Sequence, residues 1–174
     1  YFSFSHCESG RIGEILEEYE AQAIAAVFQA VEWDSHVIIG FDRDFVFTIV
    51  EVLLGSDGSE PPVDEERPFS NIEMKLSQSL LEMAAKSLAE ALSIVTAVTF
   101  QYERIETRMD FAVIGRHNNQ AVAAKFLLQA INRGGEMFII IPQSALTPVR
   151  QQLSHVPTGD AAARDPLPGL GHRL

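Results

Sequence analysis

The chain has 174 residues, 47% of them hydrophobic and 21% charged, which suits one globular domain with its own core and excludes a disordered polar chain. Its single cysteine, Cys7, excludes an internal disulfide framework or a multi-thiolate metal site, and no apolar run approaches the roughly 18 residues that cross a bilayer. A formal net charge of −11 argues against a phosphate-backbone partner.

Residues 1–9 carry no usable period and read as an N-terminal extension. From Gly10 to about Ala23, the spacing of Ile12, Ile15, Leu16, Tyr19 and Ala23 predicts an amphipathic helix. Ala25–Phe28 reads as a strand, Val31–Ser35 as a turn, and His36–Phe41 as a strand buried on both faces. Asp42 is the expected N-cap of a helix whose apolar stripe is Phe45, Val46, Ile49, Val50 and Leu53. That helix is expected to stop at Gly55, with a second turn at Gly58, before a solvated loop through Pro68.

Ser70 and Glu73 form the pattern of a capping box for a long helix to about Leu92. Its expected stripe is Ile72, Leu76, Leu80, Met83 and Leu88, with alanines at 84, 85, 89 and 91 for close packing on a neighbour. Strands are expected at Thr96–Glu103, Ala121–Ala130 and Met137–Ile141, the last entered by a glycine turn at Asn132–Gly135 and ended by Pro142. Ser144–Leu153 reads as a short helix that tolerates Pro148 only near its first turn. The aperiodic segment 157–174 reads as a linker or tail, leaving 10–156 as the folded domain. Because the first residue is tyrosine, the chain is expected to be a fragment of a longer protein.

The two halves share an order: helix, hairpin of apolar strands, then a short helix leaving the last strand. Such a pattern-level repeat predicts a pseudo-twofold α/β domain with a central sheet and helices on its faces. Charge is uneven along the chain, with 15 acidic and 2 basic residues before Arg67 against 9 and 11 from Arg67 onward. The acidic half is either a solubilising surface or a face for a basic partner. Glu103–Arg108 alternates in sign, so Arg104, Arg108 and Arg116 either line a solvated face or meet an acidic surface on a neighbouring copy.

Chemistry is sparse. The histidines at 6, 36, 117, 155 and 172 share no ligand spacing, so no metal or cofactor is expected. No Gly-x-Ser-x-Gly elbow and no phosphate-cradling glycine loop occurs. Gly55-Ser-Asp-Gly58 is either a helix stop or a binding loop.

Four segments in order resemble the middle domain of the bacterial flagellar motor switch protein FliM. They are Ile38–Gly58, Arg67-Pro-Phe-Ser-Asn-Ile-Glu73, Ile105-Glu-Thr-Arg-Met-Asp-Phe111 and Ile141-Pro-Gln-Ser-Ala-Leu-Thr-Pro-Val-Arg150. Ser56 stands where the family has the second glycine of Gly-Gly-x-Gly, and Arg108-Met109 stands where it has Asn-Pro. The resemblance implies a three-layer α/β/α sandwich of the CheC-like type and a structural, signal-transmitting role in the motor's C-ring, on the cytoplasmic side of the inner membrane. It implies contact with the rotor protein FliG through Gly55, Ser56, Asp57 and Gly58, with Arg67, Pro68 and Phe69 as flanking candidates. Neighbouring FliM copies are implied partners too, and FliN and phosphorylated CheY through family segments absent from this chain. On that reading, Gly58→Arg abolishes FliG binding and leaves the thermal melt intact.

The related CheC and CheX phosphatases use Glu-x-x-Asn on a helix to position water. Here Asn71, Asn118, Asn119 and Asn132 are preceded at that spacing by Pro68, Gly115, Arg116 and Gln129, and Glu82 is followed by Ala85. A methyl group cannot orient water, so no enzyme is expected, and a phosphatase of this type acting on a phosphorylated chemotaxis response regulator is the alternative reading.

Overall fold

The computed structural model describes residues 1–19, 23–61 and 67–153. In chain order these hold β1 (Phe2–Arg11), α1 (Ile12–Glu17), β2 (Ala23–Ala30), β3 (Ser35–Asp42), α2 (Arg43–Leu53), α3 (Asn71–Leu92), β4 (Phe100–Glu106), α4 (Met109–Ala112), β5 (Gln120–Ala130), β6 (Arg133–Pro142) and α5 (Gln143–Leu153). The six strands make one sheet in the order β1-β5-β6-β3-β2-β4, and every neighbouring pair is antiparallel. Exchanging β1, β2 and β3 with β4, β5 and β6 reproduces that order read backwards, so the pseudo-twofold is real and runs between β3 and β6.

Alternation on the strands splits the core in two. One face gathers Ala25, Val27, Ile38, Phe138 and Ile140 under α1 and α4. The other gathers Ile24, Phe28, Val37, Ile39, Met137 and Ile139 under α2 and α3. Helices therefore cover both faces of a sheet whose central strands are apolar on both sides, the three-layer α/β/α arrangement expected.

The repeat differs from its sequence reading in one respect. The counterpart of α1 is the four-residue α4, which follows β4 as α1 follows β1. The long α3 has no counterpart among the described residues. Of residues 1–9, which carry no period, all but Tyr1 lie in β1, an edge strand registered on β5 from Phe2↔Leu128 to Arg11↔Gln120. Lys125 on β5 fastens it: the ammonium is buried and lies 2.9 Å from Glu8 of β1 and 2.7 Å from Glu18 just after α1. Burial works to lower the Lys125 pKa, but the Glu18 and Glu8 carboxylates outweigh it and hold the pKa above the usual lysine value.

The helix expected over Gly10–Ala23 is only α1, because Gly10 and Arg11 are taken into the β1–β5 ladder and Ala23 starts β2. Asn132–Gly135 is not the turn. The β5–β6 hairpin turns at Ile131-Asn132, both with positive φ (48° and 59°), between the paired Ala130 and Arg133. Gly134 and Gly135 lie inside β6. A Cβ at Gly135 would fall 2.3 Å from the Phe45 Cα, so glycine is needed there for the approach of α2. Pro148 sits inside α5, beyond its first turn.

The capping box of α3 forms as predicted: the Glu73 N–H donates to Ser70 Oγ at 3.2 Å and the Ser70 N–H to Glu73 Oε2 at 2.7 Å. Its inward face matches the expected pattern in part: Leu80, Leu88 and alanines 84, 85 and 89 pack on the core, but the fully buried line differs from the stripe. Glu73, Ser77, Leu81 and Ala85 are buried, whereas Ile72 and Met83 are 75% and 64% exposed. Small Ser77 and Ala85, two four-residue steps apart on this face, leave room for close approach to the sheet, and Leu81 between them fills the gap. Leu81→Ala should therefore cost about 2–5 kcal/mol of stability, measured by urea unfolding. A loss under about 1 kcal/mol would place α3 off the core.

Candidate functional site

The site is built on α2, and each end of that helix is fixed by a different device. At the N-terminus, Asp42 Oδ1 accepts the Phe45 N–H at 2.8 Å and the Glu136 N–H of β6 at 3.0 Å. One carboxylate thus caps the helix and ties it to the central strand. Burial raises the Asp42 pKa from the usual 3.8 to about 6, with the charges of Asp44 and Glu136 adding to the rise and the two N–H bonds opposing it. Glu136 also accepts the hydroxyl hydrogen of Tyr19, whose ring stacks on Phe138 at 4.0 Å between centroids.

Beside this end lies an arginine–aromatic cluster. Arg43, buried, stands 4.7 Å from the centre of the Phe47 ring and 5.5 Å from that of Phe69, and donates to the Arg67 carbonyl. The Arg67 guanidinium lies 5.1 Å from the Phe47 ring and forks onto Glu73 at 2.6 and 3.3 Å. Burial would raise the Glu73 carboxyl, but Arg67 and the Ser70 N–H hold it below its usual range. Arg67 and Phe69 are thereby engaged within the domain, fastening the start of α3 to α2; Pro68 is exposed.

The C-terminus of α2 carries the glycine loop. The Gly55 N–H donates to the Val52 carbonyl at 3.1 Å and the Ser56 N–H to the Glu51 carbonyl at 2.9 Å, the Schellman pattern, with Gly55 at φ 79°. Ser56 is not among the positive-φ residues, so replacing the family's second glycine brings no backbone strain. Its hydroxyl instead accepts the Gly58 N–H at 3.2 Å, and Asp57 Oδ1 accepts the Ser59 N–H at 2.9 Å. Those Ser59 bonds hold the Asp57 carboxyl below its usual range.

Gly58 has φ 81°, and a Cβ there would sit 2.4 Å from the Ile131 carbonyl oxygen. Gly58→Arg therefore disturbs the packing of the loop on the β5–β6 hairpin and cannot serve as the surface-only probe that the sequence suggests. Leu53 belongs to the apolar stripe of α2, yet it is 61% exposed and Leu54 82% exposed. These two leucines beside the loop are contact candidates that sequence reasoning missed; their position next to the Gly55 stop at the end of the helix was the available signal.

The two groups of expected contact residues lie at opposite ends of α2. Arg67 and Phe69 pack near Arg43 and Phe47, whereas Gly55–Gly58 follow Leu54, roughly 12–16 Å away along the axis.

The arginines expected at a neighbouring copy differ in availability. Arg104 lies 3.4 Å from both Glu103 and Glu106 and donates to the Phe111 carbonyl at 3.1 Å. Arg108 lies 3.6 Å from Asp110 and 4.9 Å from the Phe111 ring centre. Arg116 is exposed. Ala85 is buried against the sheet, whereas Glu82, three residues earlier, is exposed. Among the described residues no helix is long and apolar enough to cross a membrane.

The pseudo-twofold α/β/α domain thus presents a hydrogen-bonded glycine loop beside two exposed leucines. The sequence pattern of the family described as flagellar motor switch protein FliM matches residues 3–158, and the chain belongs to that family. It is 33% identical over 164 residues to the flagellar motor switch protein FliM of Caulobacter vibrioides, covering 94% of this chain and 44% of that protein. The chain thus spans under half the length of that relative. Its fold is that of the FliM middle domain of Vibrio alginolyticus (TM-score 0.76, 22% identity, 87% of this chain and 83% of that one). A FliG–FliM complex from Helicobacter pylori contains a similar chain (TM-score 0.74, 21% identity, 84% and 81% covered).

The Asp42 geometry yields a pH test. The folded protein holds this proton more tightly than the unfolded chain, so the stabilisation tied to Asp42 is complete below about pH 4 and is lost as pH rises through about 6. Asp42→Asn keeps a capping oxygen and removes the buried charge. Its urea midpoint relative to the wild type should rise between pH 4 and 7 and level off above; a difference independent of pH would refute this.

Proposed function

We propose that this domain is a structural and signal-transmitting part of a flagellar motor switch subunit on the cytoplasmic side of the membrane. It binds FliG through the end of α2 and its loop, and it does no chemistry. Membership of the FliM family and the fold shared with a FliM chain in complex with FliG support the assignment. The observation that carries the choice of surface is the exposure of Leu53 and Leu54 beside Gly55–Gly58. These leucines offer apolar area to a partner, and the loop's internal hydrogen bonds mean that little ordering remains to be done on binding.

Leu54→Asp and Asp57→Arg leave the loop's positive-φ glycines and the hairpin contact in place. Each should weaken binding to purified FliG at least tenfold in a titration, with an unchanged thermal melt. Full-strength binding by both would remove this surface from the account.

Neighbouring copies pack side by side through helix faces, with Arg116 as the most available of the three cations. Arg104 and Arg108 contribute only by exchanging their internal carboxylates. Such contacts are weak per copy and screened by salt. Raising salt from about 0.05 to 0.5 M should dissolve side-by-side assemblies measured by light scattering, and Arg116→Glu should do the same at low salt. Assembly indifferent to both would exclude a charge-driven contact.

A further inference from the structure

The glycine loop is braced by a residue that lies far away in sequence. Arg133, the first residue of β6, donates from one guanidinium nitrogen to Glu51 Oε1 on α2 and from the other to the backbone carbonyl of Glu60. Glu51 and Glu60 flank the loop on its two sides, so a single planar group spans the loop's ends. The ion pair is shielded: the Arg133 and Glu51 side chains are 18% and 16% exposed. Glu51 Oε2 is buried and accepts no hydrogen bond from the described residues, among which Arg133 is the partner of Oε1.

Glu51 acts from both of its ends. Its carbonyl accepts the Ser56 N–H that closes the Schellman turn, while its side chain holds Arg133. On the same hairpin, Ile131 has φ 48°, a left-handed conformation that a β-branched residue rarely adopts, and its carbonyl meets Gly58. Strain at the hairpin tip and the guanidinium beside it are directed at the same short loop.

We propose that Arg133 is a positioning residue for the partner-binding loop: by joining Glu51 to the Glu60 carbonyl it staples the loop shut in the conformation presented to the partner. The proposal rests on the reading that this loop meets FliG. A stapled loop reaches the partner with its conformational entropy already lost, so removal of the staple shifts that loss onto binding. Arginine is required because its planar fork reaches two acceptors at once, which a lysine ammonium does with less order.

The test uses the full chain with purified FliG, comparing Arg133→Gln, Arg133→Lys, Glu51→Gln and the Arg133→Gln/Glu51→Gln double variant. Amide exchange at residues 56–59 should accelerate about tenfold in Arg133→Gln, with exchange in β3 and β6 unchanged beyond residue 133. FliG affinity should fall on the order of tenfold in each glutamine variant and no further in the double variant, because the two residues act as one unit. Arg133→Lys should recover part of both effects. Should Arg133→Gln fail to fold, Glu51→Gln carries the same expectations. Unchanged loop exchange, or additive losses in the double variant, overturns the staple. Leu54→Asp and Asp57→Arg separate the two ideas: if both bind FliG normally, the loop assignment has failed, whereas if either fails to bind while Arg133→Gln binds normally, only the staple has.

Discussion

Everything in this fold is organised by the pairing of β3 with β6. Ile38, Ile39 and Phe41 lie opposite Ile140, Ile139 and Met137, and their side chains alternate between two buried faces. A strand pair that is apolar on both sides must be covered on both sides, and that requirement yields the three layers. It also aims α2. The helix leaves β3 at Asp42, whose carboxylate holds one amide of the helix and one of β6, so both central strands set its direction. Its eleven residues then run over the start of β6 to end against the β5–β6 hairpin. The position of the glycine loop follows from the central pair.

What could be read from the sequence was what is local. The Asp42 cap, the Ser70–Glu73 box and the turn at Gly55 each depend on hydrogen bonds spanning three to five residues, and each formed where expected. The phase of α3 was legible only in part: Leu80, Ala85 and Leu88 pack inward as expected, but hydrophobicity ranks Ile72 and Met83 above Ser77, while close approach to a sheet favours small side chains. Strand β1 was hidden for another reason. It is an edge strand with mostly exposed side chains, and its partner is over a hundred residues away. The loop at Gly55–Gly58 was visible as a glycine pattern, but Arg133 and Ile131 lie some 75 residues further on, and only the hairpin's position in the sheet joins them to it.

The division of charge along the chain does not survive folding as two opposed surfaces. Strands from the two halves interleave in the sheet, with β5 and β6 between β1 and β3, and β4 outside β2. Cations of the second half consequently meet carboxylates of the first. Lys125 lies between Glu8 and Glu18, and Arg133 holds Glu51. His36 of the first half lies 2.8 Å from Glu103 of the second. Part of the acidic excess is thereby spent inside the domain, and contacts between copies must be argued from individual exposed residues rather than from a basic half meeting an acidic one.

The separation of the two clusters along α2 divides the labour within the site. At the N-terminal end, Arg43 and Arg67 lie on Phe47 and Phe69 and secure α3 to α2. At the C-terminal end, the Schellman turn, the Ser56 and Asp57 side chains and the Arg133 fork hold a short loop in place beside two exposed leucines. A displacement at one end therefore has a stiff route to the other: eleven helical residues capped on β6 by Asp42 and braced on the same strand by Arg133. A helix tied at both ends to one strand moves with the sheet as a body rather than bending between its contacts. On the proposed function, passing force between a ring neighbour and a rotor protein would draw on that stiffness rather than on a reactive group.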